Sequence, residues 1–461
     1  MINNVLKAKQ QEYGEVFREV RFPLLVSNII NSAPGSRIDA VFFTIMAVLS
    51  VYSTRLRLSY FYDSYLSGCQ LQVFVIGDQS CGKGSIDNIQ SRLIEKLLVR
   101  DERSRKLEEA YKEQIRHLSD KAKSKITPPS VCVLVLPPST SRHKICVRAS
   151  EIHKVYNDTL FFYMSTPELG TVLDANRLAF SDLRTISRLS YDLGAIYGQE
   201  HGGADGFTGL VNINVSFLLL GTAHALHRYF NSSALLDGNI SRSIIVNIPT
   251  EIGENPPYFK PLSDVDNATI DTVLDKLINN IFDDENNVLK DTVQPDLGFL
   301  YHHVNNFQEV AAAEAVKTRS KAIDTFRKRS SVSAFRIAAI CFNLYNISNE
   351  LLPEGQRFST ADIEAATVAI YNYCAFFILN SILDFCGNRY DSLQEQIEVE
   401  AKKENKQTLY DFMPDFFSKA ELDAAIESEA INTPVRVFIS KWIKQGRLED
   451  LGDNTYRKIK K

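Results

Sequence analysis

The chain has 461 residues, of which 44% are hydrophobic and 23% charged, a composition typical of globular proteins. This composition excludes a disordered, collagenous or coiled-coil protein, and at roughly 150 residues per domain the length predicts two to four domains. The formal net charge is −4, which gives no global positive field for nucleic acid. Any nucleic-acid contact must therefore come from a local basic patch.

The cysteines and the apolar stretches bear on the compartment. The seven cysteines are scattered and form no C-x-x-C pair, which favours a reducing compartment over a disulfide scaffold. The N-terminus is polar and lacks the apolar segment of a signal peptide. The most apolar stretch, Ile38–Val51, is too short to cross a bilayer and predicts a buried helix. The sequence therefore predicts a soluble, cytoplasmic protein without membrane contact.

Changes in hydrophobic periodicity divide the chain. Residues 1–66 have apolar positions at helical spacing and predict an N-terminal helical segment. Five apolar runs then predict buried strands: Leu71–Ile76, Val131–Leu136, Leu160–Met164, Val215–Leu220 and Ser243–Ile248. Helical segments separate most of these runs, so residues 67–255 predict an α/β core with a parallel sheet and helices on both faces. The glycine-rich stretch Gly194–Gly209 predicts a loop between the third and fourth strands.

Three further segments follow the core. Residues 256–390 are helical in pattern and predict a lid domain, and the polar stretch 391–408 predicts a linker. In residues 409–461, two helical segments, a glycine and a candidate hairpin follow one another, which is the order of a winged helix-turn-helix domain. Residues 436–461 hold eight Lys/Arg and three Asp/Glu. This excess predicts contact with DNA phosphates, with a solvated face or a protein-docking module as alternatives.

The strongest motif follows the first predicted strand, and we call residues 77–84 the glycine turn. The candidate nucleotide-binding residues are Gly77, Asp78, Gln79, Ser80, Cys81, Gly82, Lys83, Gly84 and Ser85. A turn of this kind points backbone N–H groups inward and forms an anion nest at a helix N-terminus. The lysine adds a charge that reaches β- and γ-phosphates. The pattern predicts a nucleotide site, and the alternative is a turn that only reverses the chain.

Hydrolysis needs a metal ligand and a carboxylate near the phosphates. The usual Ser or Thr after the lysine is replaced by Gly84, so either Ser85 holds Mg²⁺ from one position further on or the metal is held differently. Glu168 follows the third predicted strand and is the candidate carboxylate, with a plain surface glutamate as the alternative. Asp174 and Asp182 are weaker candidates.

Three more residues are candidate participants in nucleotide chemistry. Thr222 follows the fourth predicted strand and either senses the γ-phosphate or only caps the next helix. Arg242 precedes the fifth strand and either reaches a neighbouring subunit's γ-phosphate or lies on the surface. Arg336 interrupts an apolar helical run and needs a partner, either a bound phosphate or a buried carboxylate. A metal site at His224 and His227 is not expected, because no third ligand has recognisable spacing.

The order of these blocks resembles the primase-helicase-like P-loop proteins of unknown function found on phages, plasmids and transposons of Bacteroides-type bacteria. The resemblance covers roughly residues 20–385. Its motifs are Phe22-Pro23, LQVFVIGDQSCGKGS, LPPSTSRHKI, LFFYMSTPEL, VSFLLLGTAHAL, DGNISRSIIVNIP and SAFRIAAICFNL. Members of that family often carry Gly-Lys-Gly in the glycine turn. They usually have a stronger acidic cluster where this chain has Ser165–Glu168, which argues against turnover more than against binding.

The resemblance implies a RecA/AAA+-like P-loop ATPase core that binds ATP and Mg²⁺ and often forms homo-oligomeric rings. Carried over by position, Lys83 binds phosphates, Glu168 marks the acidic strand end, Thr222 is the sensor and Arg242 the finger. The family's association with mobile DNA implies replication or mobile-element partner proteins. Three functions follow as hypotheses: a helicase-like DNA-processing motor, a nucleotide-gated DNA-binding initiator, loader or defence sensor with little turnover, and an adaptor with a relic phosphate loop.

Overall fold

The computed structural model of the chain divides into two compact units, Met1–Asn388 and Arg389–Lys461. It describes residues 4–61, 65–119, 122, 126–170, 173, 183–199, 208–255, 257–286, 288–428 and 433–459.

The first unit is a mixed α/β structure. Its described helices are α1 (Asn4–Arg18), α2 (Leu24–Ser32), α3 (Ile38–Tyr52), α4 (Lys83–Ile115), α5 (Arg142–Tyr156), α6 (Leu183–Leu189), α7 (Ala223–Tyr229), α8 (Ser232–Leu236), α9 (Asp264–Asn279), α10 (Tyr301–Thr318), α11 (Lys321–Leu351) and α12 (Thr360–Ile382). Its strands are β1 (Leu58–Ser59), β2 (Leu66–Ser67), β3 (Gln72–Ile76), β4 (Val135–Leu136), β5 (Phe161–Thr166), β6 (Ile196–Gln199), β7 (Gly209–Asn212), β8 (Asn214–Gly221), β9 (Ile244–Asn247), β10 (Phe282–Asp283) and β11 (Val288–Leu289).

A five-stranded parallel sheet forms the centre of this unit, with strand order β4-β5-β8-β3-β9. The parallel sheet predicted from the apolar runs is confirmed. All residues of β3 and β8 are buried, as expected for strands covered on both faces. The prediction of a loop over Gly194–Gly209 is partly wrong, because β6 and β7 pair antiparallel at the two ends of this stretch.

Strand β4 is shorter than the strand predicted from the apolar run Val131–Leu136. The buried carboxylate of Asp101, on α4, accepts hydrogen bonds from the backbone N–H groups of Leu134 (2.9 Å) and Val135 (2.7 Å). These donors are therefore satisfied by a side chain instead of a further strand. Asp101 thus ties the edge of the sheet to α4.

Burial raises the pKa of the Asp101 carboxyl to about 6, against the opposing effect of the two backbone donors. The folded protein then holds the proton more tightly than the unfolded chain, so the Asp101 contribution to stability falls as pH rises from about 4 to about 6. The quantity to compare is the difference in the free energy of unfolding between the wild type and Asp101→Asn. We expect this difference to fall by up to about 3 kcal/mol over this interval. Urea titrations of both proteins at several pH values measure it, and parallel pH profiles would contradict the assignment.

The N-terminal helices pack against the helical segment that follows the sheet. The Phe17 ring stacks on Tyr373 with centroids 4.2 Å apart, and Tyr13 stacks on Phe376 at 5.5 Å. Helix α3 is buried as predicted. The helical stretches Gly35–Tyr52 and Glu354–Val399 are long and apolar enough to span a membrane, but 78% and 83% of their apolar windows are buried within the protein. Such burial is typical of core helices in soluble proteins.

The second unit consists of α13 (Asn388–Phe412), β12 (Phe416–Ser418), α14 (Lys419–Ser428), α15 (Val435–Lys444), β13 (Leu448–Gly452) and β14 (Thr455–Lys458). Residues 391–408, predicted as a linker, lie within α13. The three strands form an antiparallel sheet in the order β12-β14-β13. Asp453 and Asn454 turn the hairpin at φ angles of 52° and 59°, the backbone that two-residue hairpin loops require. Phe417, Phe438 and Trp442 belong to the core of this unit.

Candidate functional site

The glycine turn lies at the carboxyl edge of the parallel sheet, beside the end of β8. Ile76 is in register with Gly221, and the Gly77 N–H donates to the Gly221 carbonyl at 3.1 Å. The connection from β3 to β4 passes over β8 and β5, whereas the connection from β8 to β9 passes over β3 in the opposite direction. Right-handed crossovers place these two connections on opposite faces. The carboxyl ends of β3 and β8 therefore flank the crevice where open parallel sheets bind ligands.

Two glycines of the turn are required by its geometry. Gly82 has a φ of +92°, and a Cβ there would lie 2.7 Å from Pro257. A Cβ on Gly77 would lie 2.5 Å from the Cys81 sulfur. By contrast, a Cβ on Gly84 meets nothing within 4 Å, so packing does not explain the departure from Ser or Thr at that position.

The Lys83 side chain folds back into the turn. Its Nζ donates to the carbonyls of Gly77 and Asp78, both at 2.6 Å, and lies 3.7 Å from the Cys81 sulfur. The ammonium group is thus held beside the start of α4, where backbone N–H groups of a helix N-terminus favour anions. Ser85 lies in the first turn of α4, with its N–H donating to the Gly82 carbonyl at 3.1 Å.

The segment after β5 approaches the same edge. Thr166, the last residue of β5, is in register with Leu219, so a continuation of that register brings Glu168 level with Gly221. A Cβ on Gly221 would lie 2.7 Å from the Leu169 Cβ, so this segment crosses directly over the end of β8. The Glu168 side chain is exposed, and its Oε1 accepts from the Gly170 N–H at 3.4 Å.

The remaining metal-ligand candidates of the sequence are Asp174, Asp182, His224 and His227. Asp174 and Asp182 lie outside the described residues. Within the described ranges, no three His, Cys, Asp or Glu side chains cluster as metal ligands. The His227 ring packs on Phe385 with centroids 4.7 Å apart.

Thr222 follows β8 directly and caps α7. Its Oγ1 accepts from the Ala225 N–H at 3.3 Å, which is the helix-capping role foreseen as an alternative. A hydroxyl that accepts this bond still has its own proton to donate. Capping and contact with a ligand are therefore compatible.

Arg336 lies at the opposite, amino-terminal edge of the sheet. Its guanidinium donates to the carbonyls of Gln70 (2.8 Å) and Tyr191 (2.9 Å) and to the Ser67 hydroxyl (3.0 Å). These partners replace the phosphate or carboxylate that the sequence suggested. Gln70 and Gly77 are separated by the length of β3, roughly 20 Å at about 3.3 Å per residue. The structure therefore does not bring Arg336 to the glycine turn.

Arg242 lies at the same amino-terminal edge, because Ile244 at the start of β9 is in register with Val73. It donates to the Gly238 carbonyl at 2.9 Å and lies 3.7 Å from the Asp192 carboxylate, which also binds Arg329 at 3.0 Å. Burial, and then the nearby Arg329, lower the pKa of Arg242. Arg242 is thus distant from the glycine turn of its own chain.

Sequence reasoning missed Arg37, which lines a cavity of about 360 Å³ together with Asp78–Cys81 and residues that follow β9. Its side chain is only 2% exposed and lies 3.5 Å from Glu254. It donates to the Pro249 carbonyl at 3.0 Å, and the Thr250 hydroxyl donates to Asp78 at 2.8 Å. These contacts tie the N-terminal segment and the chain after β9 to the glycine turn. No pattern in the sequence singles out this arginine.

Comparison of the chain with protein-family models finds no match, and comparison with curated proteins finds none either. The fold itself defines a mixed α/β protein with a five-stranded parallel sheet, whose order is compatible with a Rossmann- or RecA-like core.

Proposed function

We propose that the first unit is a RecA/AAA+-like P-loop core and that the glycine turn binds the phosphates of ATP. The observation that carries this proposal is the placement of Lys83 and the turn between β3 and α4, at the sheet edge where parallel α/β sheets bind ligands. The helix N-terminus favours phosphate, and Lys83 supplies the positive charge.

The same edge supplies groups for hydrolysis. Mg²⁺ takes one or two protein oxygen ligands and keeps several waters, and the Ser85 hydroxyl and Glu168 carboxylate are donors of that type. In this proposal Ser85 and Glu168 would hold Mg²⁺, which would offset phosphate charge. Glu168 orients the attacking water, and Thr222 contacts the γ-phosphate. Arg242, distant from its own turn, reaches the nucleotide of a neighbouring copy in a homo-oligomeric ring.

DNA is the proposed substrate of the motor. The second unit has the order helix, strand, helix, helix, hairpin of a winged helix-turn-helix domain. Lys441 is exposed on α15, the helix that corresponds to the recognition helix, and supplies a cation for DNA phosphates. We therefore propose a helicase-like, DNA-processing ATPase of a mobile genetic element that works with replication or mobile-element partner proteins.

The test is the rate of ATP hydrolysis by the full chain with and without single-stranded DNA. We expect the rate to rise severalfold when DNA is added, because a motor couples turnover to its track. ATP binding with no turnover under either condition would contradict the motor.

A second candidate is a nucleotide-gated DNA-binding protein, such as an initiator, loader or defence sensor, with little turnover. It is favoured by the end of β5, where Ser165 and Thr166 stand in place of carboxylates. The Thr166 hydroxyl donates to the Glu168 carbonyl at 3.1 Å and accepts from the Glu168 N–H at 3.2 Å. ATP-dependent DNA affinity without hydrolysis would favour this candidate.

A further inference from the structure

The second unit contains a groove that its own side chains leave open. The groove has a volume of about 450 Å³ and lies between one flank of α15, the start of α14 and the hairpin. Ile439, Ile443 and Tyr456 line it with apolar surface, and Ile443 is 39% exposed. An exposed isoleucine inside a concave surface is available to pack against an apolar side chain of a partner.

Cations surround this apolar surface. Lys419, Arg436 and Lys444 also line the groove, and no carboxylate of the described residues does. Among the ion pairs of the described residues, none involves these three cations. Their charge is thus not offset within the part of the chain that the structure describes.

Three other basic residues in the described part of this unit have partners away from the groove. Arg457 pairs with Glu449, and the Lys458 ammonium donates to the Asp411 carbonyl at 3.2 Å. Arg447 lies over the Tyr410 ring at 5.3 Å. Among the described residues, Lys419, Arg436 and Lys444 thus surround the groove without a carboxylate partner, while the hairpin carries the acids Glu449, Asp450 and Asp453.

This combination selects the occupant. The major groove of duplex DNA admits a protruding α-helix or two-stranded β-ribbon, and the polar duplex offers little to fill an apolar concavity. An acidic peptide with apolar side chains satisfies both features, since its carboxylates pair with the cations and its apolar groups fill the space. We propose that the groove binds a short acidic and apolar segment of a partner protein. This site is independent of the nucleotide site, and DNA contact is assigned to the opposite flank at Lys441.

The probe is a fluorescein-labelled peptide of four aspartates followed by leucine and phenylalanine, with binding to the full chain followed by anisotropy. We expect Arg436→Glu to weaken binding at least about tenfold, equivalent to about 1.4 kcal/mol. Ile443→Ser should weaken it about fivefold because apolar burial is lost. Both side chains are exposed, so the fold should be retained, which far-UV circular dichroism verifies.

Matched controls separate the possible causes. Lys441→Glu, on the other flank of α15, should leave the peptide affinity within about twofold, equivalent to about 0.4 kcal/mol, while lowering affinity for a DNA duplex. A peptide with serines in place of leucine and phenylalanine should bind more weakly. The proposal is overturned if the serine peptide binds equally well, if the probe does not bind, or if duplex DNA competes for the groove and depends on Ile443.

Discussion

Nucleotide binding is expected to be lost when Lys83 is replaced by alanine. The Lys83 ammonium lies within the glycine turn, 2.6 Å from two of its carbonyls, where a triphosphate would meet it. A hydrogen bond to a charged group contributes about 1.5–3 kcal/mol, so loss of one such bond weakens affinity by roughly 10- to 150-fold. Titration with a fluorescent ATP analogue measures this directly.

The control is Lys106→Ala on the same helix. Lys106 is exposed and pairs with Glu102 at 3.8 Å, a surface pair that contributes less than about 1 kcal/mol. Its replacement should leave nucleotide affinity unchanged. Equal affinities for Lys83→Ala and the wild type would mean that the glycine turn only reverses the chain.

Glu168→Gln is expected to stop turnover while keeping nucleotide binding. The amide retains the shape of the carboxylate but cannot accept the proton of an attacking water, a contribution of about 10²–10⁴-fold in rate. Single-turnover hydrolysis and equilibrium binding of the same preparation separate the two effects. The side chain of Glu168 is exposed, and surface substitutions change stability by about 0.5 kcal/mol or less. The Glu168→Gln protein should therefore fold like the wild type.

Glu109→Gln, an exposed glutamate on α4, is the matched control and should hydrolyse ATP at the wild-type rate. If Glu168→Gln also hydrolyses at that rate, Glu168 is the surface glutamate that the sequence offered as an alternative. Loss of binding in Glu168→Gln would instead assign the carboxylate to nucleotide affinity and contradict its role in the chemical step.

The sequence was informative where local pattern determines structure. The apolar run before Gly77 and the helix after Gly82 follow from residue type and spacing, and the structure has both. The role of Asp101 could not be predicted from the sequence. Its carboxylate, on α4, accepts the hydrogen bond of the Leu134 N–H, which lies 33 residues further along the chain. For the same reason the partners of Arg336 were misjudged, since its carbonyl acceptors come from Gln70 and Tyr191, far away in the chain.

In the proposed nucleotide site, the carbonyls of Gly77 and Asp78 compete with phosphate for the Lys83 ammonium group. Before phosphate can take the ammonium group, the carbonyls of Gly77 and Asp78 must release it, so only the fraction of molecules with a released lysine is ready to bind. Apparent affinity is reduced by that fraction. A contact that shifts Asp78, such as the hydrogen bond from the Thr250 hydroxyl to its carboxylate, would then change the affinity of the proposed site without touching the nucleotide.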